Sequence, residues 1–189
     1  MTMFLAVPPA AEPITLAEAK AYLKIDSNDE DLLVQSLVTA ARVHLEALTG
    51  RAFVTQTWRI IRDVWPANGI LALPIAPIAS ISAVRVTTSS GVVSVPLAGL
   101  RLDGRGAPPR LSWAAAPPSP TVGMAGIEIE CVAGYGAPAD VPAPLTQAIR
   151  LLAAHWFENR GVISVGHEVA VMPRSVEALV APYIVRRIA

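Results

Sequence analysis

The hydrophobic pattern of residues 27–51 predicts a long amphipathic helix. Apolar residues recur at steps of three, four and seven and form one stripe, which contains Val34, Leu37, Val38, Ala41, Leu45 and Leu48. The opposite side is polar and contains Gln35, Thr39, Arg42 and Glu46. Ser27 and Glu30 have the spacing of a capping box, and Gly50 suits the left-handed residue that ends a helix. The pattern therefore predicts a helix over 28–50 with one buried face and one solvent face.

Two shorter helices flank this one in the same way. Thr15 and Glu18 form a second capping-box pattern, so a helix is predicted over 15–24. The turn that follows is short, and the two helices should form a helical hairpin over 15–51. A third helix is predicted over 143–159, within the segment 142–160, because apolar residues again recur at helical spacing after two prolines.

Between the second and third helices, the period of the hydrophobic pattern changes from that of helices to that of β-strands. The segment 55–65 is rich in β-branched and aromatic residues, and 78–88 with 92–97 reads as a hairpin. Residues 126–133 alternate cleanly between apolar and polar, whereas the Gly- and Pro-rich section before them can hold only short strands and loops. The predicted fold class is α+β, with a small helical bundle and an inserted β-rich region over 55–133.

Length and charge narrow the possible functions. A chain of 189 residues with 53% hydrophobic and 16% charged residues suits a single domain over 1–189, and its formal net charge of zero gives no global basic field for nucleic acid. The charge is uneven, because the first fifty residues are mainly acidic and 51–120 hold seven arginines, which permits head-to-tail self-association. The single Cys131 excludes an internal disulfide, and no signal peptide or membrane helix is predicted.

Residues able to carry chemistry are few, and we expect no catalytic, cofactor or metal site. His44, His155 and His167 lack ligand spacing. Glu128 and Glu130 share a strand face, but solvent-facing acids are far commoner there than a catalytic pair. The glycine-rich segments 104–106 and 134–136 match no phosphate-binding motif and are interpreted as turns.

Three arginines and the C-terminus are candidates for binding larger partners. Arg101, Arg105 and Arg110 could contact a nucleic acid backbone, although a solvated loop is the favoured interpretation. The last segment, 166–189, should start irregularly, contain a short helix over 175–181 and end in an apolar tip with two arginines. Such a tip is unusual for a free terminus, so we predict an extended C-terminal arm that docks on a partner.

The order and spacing of five motifs resemble a known family. The motifs are PITLAEAKAYLKI, DEDLLVQSLVTAARVHLEALTGR, TQTWR, GYG followed by DVPAPLTQAIRLLAAHWFENRG, and MPRSVEALVAPY. Together they resemble the head-tail connector, or adaptor, proteins of long-tailed bacteriophages, prophages and gene transfer agents. The likeness spans nearly the whole chain, apart from the proline-rich section 107–120.

The resemblance implies a non-enzymatic structural protein of the virion neck, made in the bacterial cytoplasm. Such adaptors form a homo-oligomeric ring, usually a dodecamer, beneath the portal protein. The ring receives the stopper or tail below, and double-stranded DNA passes through its lumen without sequence-specific binding. No membrane is involved.

The resemblance also implies that the C-terminal segment, 173–189 here, reaches the portal. The predicted portal-binding residues are Val176, Leu179, Val180, Tyr183, Ile184, Arg186 and Arg187. Deleting 173–189 should then leave a folded protein that no longer binds portal. Three alternatives remain: a stopper or tail-completion protein one layer below, a small enzyme that uses Glu128 and Glu130, and a DNA-binding module.

Overall fold

The computed structural model describes residues 2–159 and 172–185, and it confirms the α+β class. The described residues form four α-helices and eight β-strands, with short 3-10 turns between some of them. In order they are β1 (Thr2–Val7), α1 (Leu16–Leu23), α2 (Asp31–Thr49), β2 (Gln56–Arg62), β3 (Ile70–Ala72), β4 (Ile78–Thr88), β5 (Gly91–Ser94), β6 (Leu100–Asp103), β7 (Arg110–Trp113), β8 (Ile127–Ala133), α3 (Ala143–Glu158) and α4 (Arg174–Val180). They divide into two compact units, one helical and one made of sheets.

The described residues of the helical unit are 11–49, 136–159 and 172–184. In it, α3 packs against α2, and α4 packs against α3. The core consists of aliphatic side chains from every helix, namely Ala19, Val34, Val38, Ala41, Leu45, Leu145, Ala148, Ile149, Leu152, Ala153, Val176 and Val180. The three predicted helices therefore form as expected, and burial of their apolar stripes stabilises the bundle.

The first helix has the predicted capping box. Thr15 Oγ1 accepts a hydrogen bond from the backbone N–H of Glu18, and Glu18 Oε2 accepts one from the backbone N–H of Thr15 at 2.8 Å. Two backbone donors that the helix itself leaves unsatisfied thus find side-chain partners. Thr15 and Glu18 fix the start of α1 without help from the rest of the chain.

The long helix differs from the prediction in three respects, one being that Leu48, predicted on the buried stripe, is 39% exposed. It begins at Asp31 instead of 28, so Ser27 and Glu30 do not occupy the N-cap and third positions of a capping box. Arg42 and Glu46, predicted on the solvent face, are buried with exposed fractions of 5% and 8%. Glu12, just before α1, supplies a carboxylate that pairs with Arg42 and so permits this burial. The periodicity of α2 cannot reveal this contribution, because Glu12 lies outside the helix.

The sheet unit comprises residues 2–10, 50–135 and 185. A five-stranded antiparallel sheet has the order β1-β2-β8-β4-β5, and a three-stranded sheet has the order β3-β7-β6. Both sheets contribute to one apolar core, which includes Ile60, Leu71, Val84, Leu111, Ile127 and Ile129. The predicted hairpin and the alternating strand 126–133 are confirmed as β4, β5 and β8.

No element was predicted for the N-terminal residues, which form the edge strand β1. Thr2 pairs with Ile61, and Phe4 pairs with Arg59. The pairing requires β2, more than fifty residues further along the chain, so no local pattern within 2–7 predicts it. The strand ends just before Pro8 and Pro9, which cannot donate backbone hydrogen bonds.

Candidate functional surfaces

The two acidic residues considered as a catalytic pair belong to an ion-pair cluster on the five-stranded sheet. Glu128 and Glu130 lie on β8 between Arg59 of β2 and Arg85 of β4. Arg59 Nε is 3.0 Å from Glu130 Oε2, and Arg85 Nη1 is 2.5 Å from Glu128 Oε1. Each carboxylate is engaged by an arginine, and the alternating charges neutralise one another. This arrangement suits a stable sheet surface and gives neither carboxylate the apolar setting of a general acid.

Histidine and cysteine show no sign of a metal centre in the part of the chain that the structure describes. No group of three or more His, Cys, Asp or Glu side chains there could hold a metal ion. His44 makes an edge contact with the ring of Trp156, at a centroid separation of 5.8 Å, and His155 lies within hydrogen-bonding distance of Asn159. Cys131 is buried, and His167 lies outside the described residues.

The glycine-rich segments are turns, as predicted. Gly134 and Gly136 have φ angles of +130° and +135°, values that favour glycine. A Cβ atom on Gly134 would lie 2.6 Å from the carbonyl carbon and oxygen of Val54. At Gly134 the segment therefore serves the close approach of two backbone segments, and it is followed by a short 3-10 turn over Pro138–Asp140 instead of opening directly into an α-helix.

The three arginines of the middle segment lie on or beside the three-stranded sheet. Arg101 and Ser112 face each other across β6 and β7, and Ser112 in turn pairs with Ile70 of β3. Arg110 Nη2 is 2.7 Å from Asp103 Oδ2, and this hydrogen bond holds the pKa of the Asp103 carboxyl below its ordinary value. Arg101 and Arg105 are exposed. The outer face of this sheet therefore carries positive charge at Arg101 on edge strand β6 and an exposed aliphatic side chain at Ile70 on edge strand β3.

The predicted portal-binding residues do not share one environment. Val176 and Val180 of α4 are buried in the helical unit with exposed fractions of 0% and 1%, whereas Leu179 and Tyr183 are half-buried and Ile184 is exposed. Arg186 and Arg187 lie outside the described residues. The described part of the predicted arm is thus a short packed helix followed by a 3-10 turn over Ala181–Tyr183.

Packing of α4 corrects the expected effect of deleting 173–189. That deletion would remove Val176 and Val180 from the core of the helical unit and expose the side of α3 that they cover. Each buried valine contributes roughly 1.5–3 kcal/mol. The truncated protein would lose stability as well as any portal contact, so a shorter deletion is needed to test portal binding.

A second face of α2, which the sequence-based interpretation treated as ordinary solvent surface, is apolar and exposed. It lines an open groove of about 860 Å³ together with Trp156 of α3. Leu32 is 84% exposed and Val43 is 52% exposed. We call this surface the α2 outer face; its residues are Leu32, Gln35, Ser36, Thr39, Ala40, Val43, His44 and Ala47. None of them carries a formal charge, which is unusual for a helix face in water.

Known proteins resemble this chain in sequence and in structure. Residues 13–82 match the family of phage gp6-like head-tail connector proteins. Among solved structures, a chain in the neck of a native gene transfer agent (GTA) particle, computed with C12 symmetry, is 32% identical, with a TM-score of 0.81. This similarity covers 100% of the present chain and 98% of the GTA chain.

The chain belongs to the head-tail connector family.

Two further solved structures resemble the connector over its whole length. One is from the neck of an empty GTA particle computed with C6 symmetry, with 29% identity and a TM-score of 0.85. The other is from the virion of a native GTA particle, with 28% identity and a TM-score of 0.84. Both comparisons cover 100% of this chain and 98% of the other. No protein with a curated description matches the connector significantly in sequence.

Membership of this family indicates which features of the connector are candidates for function. A neck component acts through the surfaces that it presents to other subunits, so exposed apolar faces matter more than clefts. The α2 outer face could have been found in the sequence, because Leu32, Ser36, Ala40, Val43 and Ala47 recur at steps of three and four. Among the described residues, no helix combines the length and apolar character needed to cross a membrane.

Proposed function

We propose that this connector is a non-enzymatic adaptor of the particle neck, which forms a ring between the portal and the stopper or tail and continues the DNA channel. The observation that carries the proposal is the full-length similarity to chains from GTA necks, at 28–32% identity and TM-scores of 0.81–0.85. Two of those necks were computed with C6 and C12 symmetry, which supports a ring of connector copies, with twelve as the proposed number.

The surface chemistry supports a structural role. Glu128 and Glu130, the alternative catalytic pair, are both held by arginines. The connector instead presents an uncharged apolar helix face on one unit and a basic sheet face on the other. A closed ring requires two different surfaces on each subunit, and this connector has them.

Portal contact is assigned to the end of the C-terminal segment. Among the predicted residues, Leu179, Tyr183 and Ile184 have exposed surface, and the sequence beyond them supplies Arg186 and Arg187. Val176 and Val180 act indirectly, because their burial fixes α4 and so the starting point of the segment. Apolar side chains next to arginines are typical of protein interfaces.

Deletion of 184–189 tests the adaptor role. This deletion spares α4 and the 3-10 turn that follows it, so the helical core should stay intact. We expect the truncated connector to fold with an unchanged circular dichroism spectrum and to lose binding to purified portal in a pull-down. A Met124→Ala variant, at an 81% exposed position of the sheet unit, is the control and should bind portal normally.

The same experiment separates the adaptor from the stopper one layer below. A stopper contacts the adaptor and not the portal, so the full-length chain would fail to bind portal at all. Full portal binding by the truncated connector would contradict the assignment of the contact to the C-terminal end.

A further inference from the structure

The α2 outer face carries no charge and exposes large aliphatic side chains among small and polar ones, which is unusual for an ordinary solvent surface. Leu32 and Val43 are exposed by 84% and 52%, and between them lie the small residues Ser36 and Ala40. Small side chains on a helix let another element approach the helix axis closely. The face therefore has the composition of a packing surface that lacks its partner.

The end of α2 that holds Leu32 follows an acidic turn. Asp26 and Asp29 are exposed in this turn, six and three residues before Leu32, whereas the nearby Lys20 is engaged by Asn28 and Asp31. The described residues of the helical unit include ten acidic and five basic side chains. A partner that covers the α2 outer face would be favoured if it brought positive charge to this end.

The sheet unit of the same chain offers the complementary surface. Its described residues include seven arginines and four acidic side chains. On the outer face of the three-stranded sheet, Ile70 is 45% exposed and shares the face with Arg101. Arg105 is exposed in the turn that follows β6. Asp103 on the same face is paired with Arg110, so Arg101 and the nearby Arg105 carry its excess positive charge, which is opposite in sign to the acidic turn before α2.

We propose that the α2 outer face of one copy docks on the outer face of the three-stranded sheet of the next copy. Leu32 meets the surface around Ile70, and Asp26 with Asp29 faces Arg101 with Arg105. Because each copy carries both surfaces, the contact repeats head to tail and closes into a ring. The inference rests on the ring assembly proposed above and names the interface that builds it.

Cysteine cross-linking in assembled particles tests the contact. Leu32→Cys and Ile70→Cys are introduced together, and particles are treated with a short bismaleimide. The native Cys131 is buried and gives no background. We expect a ladder of species at multiples of 19.9 kDa. The matched control replaces Ile70→Cys with Val92→Cys, which is 66% exposed on edge strand β5, and should give no ladder.

Charge reversal provides an independent test that does not alter the apolar residues. The double variant R101E/R105E should lower the amount of connector in purified particles about tenfold, because like charges then face each other. Adding D26R and D29R to the same chain should restore assembly. Normal assembly of R101E/R105E would overturn the proposal.

The outcomes separate this inference from the adaptor role. If electron cryo-microscopy of the particles shows a ring of connector copies but the Leu32–Ile70 pair gives no ladder, the interface is wrong and the ring stands. If no connector ring is seen in the particles, the adaptor role itself fails. If R101E/R105E particles keep normal rings but retain less DNA, the arginines contact nucleic acid, which also overturns the proposed interface.

Discussion

Arg42 donates a hydrogen bond from Nε to Glu12 Oε2 at 2.6 Å, which ties the segment before α1 to the middle of α2. Its Nη1 also donates to Glu46 at 2.7 Å, one turn further along the helix. Burial alone would lower the pKa of Arg42, but these two carboxylates more than offset that effect and raise it. The guanidinium is therefore charged at every pH at which the connector is folded.

Removal of this guanidinium should destabilise the connector strongly. The change Arg42→Ala leaves Glu46 buried without its cation, and we expect the free energy of unfolding to fall by about 3 kcal/mol. Arg105→Ala, on an exposed turn of the sheet unit, is the control and should leave the unfolding midpoint unchanged. Urea denaturation followed by circular dichroism measures both. Equal unfolding midpoints for the two variants would contradict the stabilising role assigned to the ion pairs of Arg42 with Glu12 and Glu46.

The capping box of α1 predicts a dependence of stability on pH. Hydrogen bonds from Thr15 lower the pKa of Glu18 below its ordinary value, with a smaller contribution from Arg150. Because the folded pKa is below the unfolded pKa, ionised Glu18 stabilises the fold above the unfolded pKa, and this stabilisation is lost as pH falls through the folded pKa. Glu18→Gln should therefore lower stability near pH 7, and its difference from wild type should shrink as pH falls below the unfolded pKa of glutamate and through the lower folded pKa of Glu18. Urea titrations at several pH values measure the difference in stability between Glu18→Gln and wild type. If the capping box were unimportant, this difference would not change with pH.

Replacing Gly134 with alanine should destabilise the connector far more than the same change at Gly123. The φ angle of Gly134 is +130°, and an added Cβ would lie 2.6 Å from the backbone of Val54. Gly134→Ala should lower the free energy of unfolding by at least about 2 kcal/mol. Gly123→Ala is the control, since nothing lies within 4 Å of the Cβ that it would add. Thermal melts of both variants test this prediction, and similar melting temperatures would contradict it.

The buried thiol on β8 predicts slow labelling of the native protein. Burial raises the pKa of Cys131 to about 12, with a smaller contribution from the charge of Glu130. Only the thiolate reacts, so a disulfide reagent at about pH 8 should label the unfolded connector rapidly and the native connector hardly at all. Absorbance during labelling, with and without denaturant, measures the two rates. Rapid stoichiometric labelling of native protein would place Cys131 at the surface.

Most features fixed by neighbours in the sequence were predicted correctly, with the capping box of Ser27 and Glu30 as an exception. The α1 capping box needs only Thr15 and Glu18, and the hairpin of β4 and β5 needs only an alternating pattern around a short turn. The left-handed Gly50 at the end of α2 has a φ angle of +67°, as its position predicted. In each case the interacting groups lie within a few residues of one another.

Features that depend on distant residues were not predicted. Burial of Arg42 requires Glu12, thirty residues earlier in the chain, and the strand at 2–7 requires β2. The α2 outer face is exposed, as predicted for the solvent side of the helix, but its aliphatic side chains were not singled out. A helix of a subunit that assembles can have two apolar faces, one for its own core and one for a partner, whereas the prediction assumed a single buried face.

The measurement that tests the connector assignment most directly is electron cryo-microscopy of particles purified from the producing cells. The account predicts a ring in the neck, directly below the portal, into which copies of this chain fit with their α2 outer faces covered by the neighbouring copies. It would be contradicted by a neck in which that layer is built from a different protein, or by purified particles that lack this chain altogether.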